Sequence, residues 1–117
     1  MTDVVAPADA PWKDRFTRVL ERLPEGQEIE LERLVVRVDP PSLRAMADEI
    51  ISRAVQGSLL AVYRVFSPET HIPLRDYPYN TVVPREIEDG TTGETVRVDM
   101  NRNVELIVSG AHRDDRR

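Results

Sequence analysis

Residues 42–66 read Ser42-Leu-Arg-Ala-Met-Ala-Asp-Glu-Ile-Ile-Ser-Arg-Ala-Val-Gln-Gly-Ser-Leu-Leu-Ala-Val-Tyr-Arg-Val-Phe66, and this stretch decides the fold. Leu43, Met46, Ala47, Ile50, Ile51 and Ala54 recur every three or four residues, which gathers them on one face of a helix over about residues 42–56. Gly57 follows, where glycine tolerates the left-handed backbone that closes a last helical turn. Residues 59–66 are rich in β-branched, aliphatic and aromatic side chains and predict a strand. A long helix running straight into a strand puts both kinds of element in one small fold. The class is α+β.

Toward the N-terminus, residues 11–23 predict a first helix, with Pro11 at the position where a missing N–H costs nothing. Trp12, Phe16, Val19, Leu20 and Leu23 form its apolar stripe, and Lys13, Asp14, Arg15, Arg18, Glu21 and Arg22 its solvated remainder. Pro24-Glu25-Gly26 ends it, and residues 27–29 form a very short extended segment. Residues 30–36 suit a short second helix with Leu31, Leu34 and Val35 inward. The β-branched run at 34–38 suits a strand equally well. Asp39-Pro40-Pro41 is a turn, since proline disfavours helix in the residue before it.

Toward the C-terminus, four prolines (Pro68, Pro73, Pro78, Pro84) predict mostly irregular chain over residues 67–84. Residues 85–88 and 95–98 flank Asp89-Gly90-Thr91-Thr92-Gly93-Glu94, a glycine-punctuated hairpin turn. Residues 104–108 supply a last strand. The expected architecture is one domain over residues 11–110, three helices packed on a small, mostly antiparallel sheet. Residues 1–10 read as a flexible leader and 111–117 as a charged tail.

The order helix, short strand, helix, turn, helix, strand, hairpin resembles a winged-helix module of the helix-turn-helix superfamily. Glu28-Ile-Glu-Leu-Glu-Arg-Leu, Asp39-Pro-Pro-Ser-Leu-Arg and Gly57-Ser-Leu-Leu carry the likeness, over about residues 11–66. The segments Phe66-Ser-Pro-Glu-Thr70 and Ile87-Glu-Asp-Gly-Thr-Thr-Gly-Glu94 sit where some such modules hold zinc in cysteine knuckles. Those relatives are accessory proteins of bacterial multi-component operons, of signalling and defence type. The resemblance implies a cysteine-free, metal-free relative, and with it an adaptor working beside a larger partner.

The chain has 117 residues, 40% hydrophobic and 32% charged, which suits a globular domain. It contains no cysteine, which excludes disulfides, thiolate metal sites and cysteine nucleophiles. No apolar run is long enough to span a bilayer, and the start does not read as a signal peptide, so a cytoplasmic protein is expected. No cofactor is expected. His71 stands alone in the proline-rich segment and His112 in the tail, so neither suggests a metal or catalytic centre. Ser42, Ser52 and Ser58 have helix and cap explanations, and the 89–93 turn lacks the Gly-Lys-Ser/Thr of a phosphate loop. Glu28, Glu30 and Glu32 read as a solvated edge.

Two partner classes remain. A DNA reader of winged-helix type would use Arg44 and Arg53 on the third helix with Arg97 and Arg102 beyond it. Asp48 and Glu49 cancel the two helical arginines, and the formal net charge is −5, both unfavourable toward phosphates. A protein partner is favoured instead. Ile72, Leu74, Arg75, Tyr77 and Tyr79 form the candidate surface, because tyrosine and arginine bury large area with few rotors. The competing expectation is that these apolar side chains fold back over the sheet. An exposed sheet edge would also allow a homodimer.

Overall fold

The computed structural model describes residues 9–110. Three helices, a mostly antiparallel four-stranded sheet and a two-stranded sheet make an α+β fold. The elements are α1 (Asp9–Arg22), β1 (Glu28–Glu30), α2 (Leu31–Val38), α3 (Leu43–Val55), β2 (Leu59–Phe66), β3 (Pro73–Pro78), β4 (Glu86–Glu88), β5 (Thr95–Arg97) and β6 (Val104–Gly110). The strand order is β1-β6-β2-β3 in the larger sheet and β4-β5 in the smaller. The span 11–110, read from sequence as one domain, contains two compact units. Residues 9–60 with 108–110 form one, and residues 61–107 the other. The expected leader lies outside the described residues up to position 8, while Asp9 and Ala10 already belong to α1. The charged tail over 111–117 lies outside them too.

In the first unit α1 packs against α2, and α2 against α3 and β1. Trp12 and Phe16 on α1, Leu34 and Val38 on α2, and Met46 and Ile50 on α3 are buried. Each fully buried large side chain contributes about 1.5–3 kcal/mol. The 34–38 run is helical despite its β-branched side chains, because tertiary contacts outweigh a weak propensity. Spacing of four residues puts Leu34 and Val38 on one face, and α1 secures the C-terminus of α2. Arg15 Nε donates to the Val38 carbonyl at 2.7 Å, and Nη2 to the Asp39 carbonyl at 3.1 Å. Asp39 turns left-handed at φ 55° and donates its N–H to Val35. Terminal carbonyls that would otherwise need water are thereby satisfied.

On α3, Ser42 is the N-cap and accepts from the Ala45 N–H at 3.0 Å. Leu43, expected on the core face, is exposed instead. It occupies the first turn, ahead of the point where α3 meets its neighbours through Met46 and Ile50.

In the second unit the core is Val65, Ile87 and Val96, with Leu74, Tyr77, Val83, Val98 and Val104 packed against it. Ile87 and Val96 face each other across the antiparallel β4–β5 ladder. The predicted turn between them is built on Asp89, whose carboxylate accepts from the N–H groups of Thr91 and Thr92. Gly93 closes it at φ 79°. Asn103, buried, ties this unit together. Its Nδ2 donates to the carbonyls of Phe66 and Arg97, both at 3.1 Å, and its Oδ1 accepts from the Asp99 N–H at 2.8 Å.

Candidate binding surfaces

The segment expected to be irregular contains a strand. β3 pairs antiparallel with β2, matching Val62 with Pro78, Tyr63 with Tyr77, Arg64 with Asp76, and Val65 with Arg75. Proline cannot donate to a ladder, yet it is tolerated on an edge strand, and Pro73 and Pro78 sit at the ends of an edge strand. The β2–β3 connection is held by Ser67, whose Oγ accepts from the N–H groups of Glu69 and Thr70. His71 takes the left-handed conformation there at φ 63°, with its ring edge-on to Phe66. It acts as a turn residue.

The register slips between Val65 and Phe66, since Phe66 pairs with Pro73 and Leu74 is left as the extra residue. In a regular strand Leu74 and Tyr77, three apart, would point to opposite faces. The bulge re-aims Leu74, so both pack on the Val65–Ile87–Val96 core. Two of the five candidate contact residues are therefore structural. Ile72 is 58% exposed, Arg75 is exposed and Tyr79 half-buried, so these three remain available along the edge. Replacing Tyr77 with alanine is expected to cost about 2–3 kcal/mol in unfolding free energy, whereas Tyr79→Ala should cost less than about 1 kcal/mol. Urea titration of the two variants separates them.

Asp76 lies on the opposite face of β3 and receives both Nε (2.8 Å) and Nη2 (2.9 Å) of Arg64. The hydrogen bonds from Arg64 hold the Asp76 carboxyl below its ordinary value of 3.8, against the opposing effect of partial burial. A depressed folded-state value means the bridge stabilises above the unfolded pKa and is lost as pH falls through the folded one. Asp76→Asn should thus lower the melting temperature slightly at pH 7 and leave it unchanged near pH 2. The pair is partly solvated, so the loss at pH 7 is under about 1 kcal/mol.

The residues of the DNA reading are separated in their roles. Arg44 is exposed in the first turn of α3, Arg97 is exposed on β5, and Arg102 is exposed in the turn before β6. Arg53 does not point outward as that reading needs. Its guanidinium lies 4.4 Å from the centre of the Phe16 ring, and its side chain is only 14% exposed. Nε donates to Glu49 at 2.9 Å, Nη1 to the Thr17 hydroxyl at 2.8 Å, and Nη2 to the Lys13 carbonyl at 3.1 Å. The aromatic face of Phe16 and the acceptors on α1 outcompete solvent for this cation. Glu49, expected to cancel a helical arginine toward DNA, is drawn in with Arg53 and also pairs with Lys13.

A second surface, in the first unit, escaped the sequence reading. Arg15, Arg18 and Arg22 of α1 and Arg37 of α2 line a groove of about 580 Å³, with Val19, Leu23 and Pro24 as its apolar wall. Among the described residues no carboxylate lines it. The signal was present as the spacing of Arg15, Arg18 and Arg22, three and then four residues apart, which aligns them along one side of a helix. The sequence alone does not single it out, because charged residues bordering an apolar stripe usually mark nothing more than solvent. No family model, curated protein or solved structure matches the chain.

Proposed function

We propose that this chain is a non-enzymatic binding module, an adaptor for a protein partner in a cytoplasmic bacterial multi-protein system. The observation that carries this reading is the outward set left on the β3 edge once Leu74 and Tyr77 are taken into the core. Ile72 and Tyr79 flank, and Arg75 lies on, a strand whose outer side has no neighbour in the sheet among the described residues. An extended partner segment can add to such an edge through main-chain hydrogen bonds, with side chains giving selectivity. Pro73 and Pro78 limit that addition to the four residues between them, which keeps the edge from pairing indiscriminately. The order of helices and strands also supports the winged-helix assignment, and among the described residues no helix is long and apolar enough to cross a membrane.

The DNA reading is weaker than the sequence made it, since Arg53 is committed to α1. The test is affinity capture from the native cell with tagged wild type and an Ile72→Asp/Arg75→Glu double variant. A partner recovered by the wild type and lost by the double variant, at unchanged melting temperature, supports the reading. Equal recovery by both overturns it.

A further inference from the structure

We propose that the groove between α1 and α2 is a second binding site, and that its ligand is a short acidic segment of a protein carrying an apolar anchor. Four arginines line the groove; Arg15 caps the C-terminus of α2, and Arg22 and Arg37 stand in the last turns of α1 and α2. Arg18, Arg22 and Arg37 are exposed and make no ion pair or side-chain hydrogen bond among the described residues. Gathering cations without counter-charges costs repulsion, which the helix C-termini beside Arg22 and Arg37 offset only in part. A chain of net charge −5 has carboxylates in excess, yet among the described residues none lines this groove.

Guanidinium groups are matched to carboxylates, which they grip through two parallel N–H bonds. Arg15 and Arg22 are seven residues apart, about 10 Å along the helix axis. That span exceeds a single carboxylate or phosphate and suits two acidic side chains on one segment, about 7 Å apart for alternate residues of an extended chain. Val19, Leu23 and Pro24 line the same groove and provide the seat for the anchor. Arg37 also lines an adjoining hollow on α2 beside Val36, which is 82% exposed. A second apolar contact is thereby within reach. A nucleic acid fits less well. Its charge continues in both directions, and the exposed Asp14, Glu21 and Glu32 on the same two helices would meet it beyond the groove.

The test is fluorescence polarisation with a fluorescein-labelled peptide of glutamates carrying a leucine at every fourth position. The full chain should bind it, and an Arg18→Glu/Arg22→Glu/Arg37→Glu variant with an unchanged circular dichroism spectrum should bind at least about tenfold more weakly. The matching glutamine peptide should bind neither. Ile72→Asp should leave the affinity unaltered, which separates this site from the β3 edge. Undiminished binding by the triple variant, no binding by the wild type, or tighter arginine-dependent binding of a single-stranded oligonucleotide of equal charge would each overturn the assignment.

Discussion

Replacing Asn103 with alanine is expected to lower the unfolding free energy by about 3 kcal/mol, the largest single effect in the second unit. The asparagine side chain is the donor for two carbonyls, of Phe66 and Arg97, and the acceptor for one N–H, of Asp99. Alanine leaves all three without the partner they now have. A buried backbone group stripped of its hydrogen bond costs about 1–3 kcal/mol, reduced where water enters the gap. Aspartate is no remedy, because a carboxylate would set negative oxygen against two carbonyl oxygens. Asn103→Asp should therefore be at least as destabilising at neutral pH. Urea titration gives both values, and an Asn103→Ala loss below about 1 kcal/mol would mean that water replaces the amide.

Arg53→Ala is expected to cost about 2 kcal/mol, large for a charged residue on a helix. It removes a cation stacked on Phe16 together with bonds to Glu49, Thr17 and Lys13. Lysine should recover little of this, since one ammonium cannot stack on the ring and reach the acceptors spread over α1 and α3 at once. The same change bears on the DNA reading. Any loss of DNA binding in an Arg53 variant would follow from loosening of α1 against α3. Arg44→Ala, by contrast, removes an exposed cation with no such role, and should shift stability by less than about 0.5 kcal/mol. Thermal melts of the three variants rank them.

The helices and most strands could be read from local pattern because their signals are local. The apolar spacing of Met46 and Ile50, the Ser42 cap and the Gly57 stop all belong to neighbouring residues. What escaped depends on distant partners. For α2 the sequence left helix and strand both open over 34–38, and the Arg15 hydrogen bond that holds its helical terminus spans 23 residues. β3 exists because an edge position forgives Pro73 and Pro78, and edge position is a property of the sheet. The bulge that turns Leu74 inward has no sequence signature of its own, so the sequence does not show that Leu74 and Tyr77, half-buried, pack against the Val65–Ile87–Val96 core. Arg53 was misplaced for the same reason: helical periodicity marks it polar, and only Phe16 and Thr17 on another helix reveal that it faces inward. The arginine groove needed both α1 and α2 in place before Arg37 joined the other three.

The most direct measurement of the central claim is a hydrogen–deuterium exchange footprint of the chain alone and with the captured partner. Slowed exchange is expected over residues 72–79, centred on the amides of Leu74 to Tyr77, with α3 unchanged. Protection confined to α3 with β3 unaffected would contradict it and restore the helix as the reading surface.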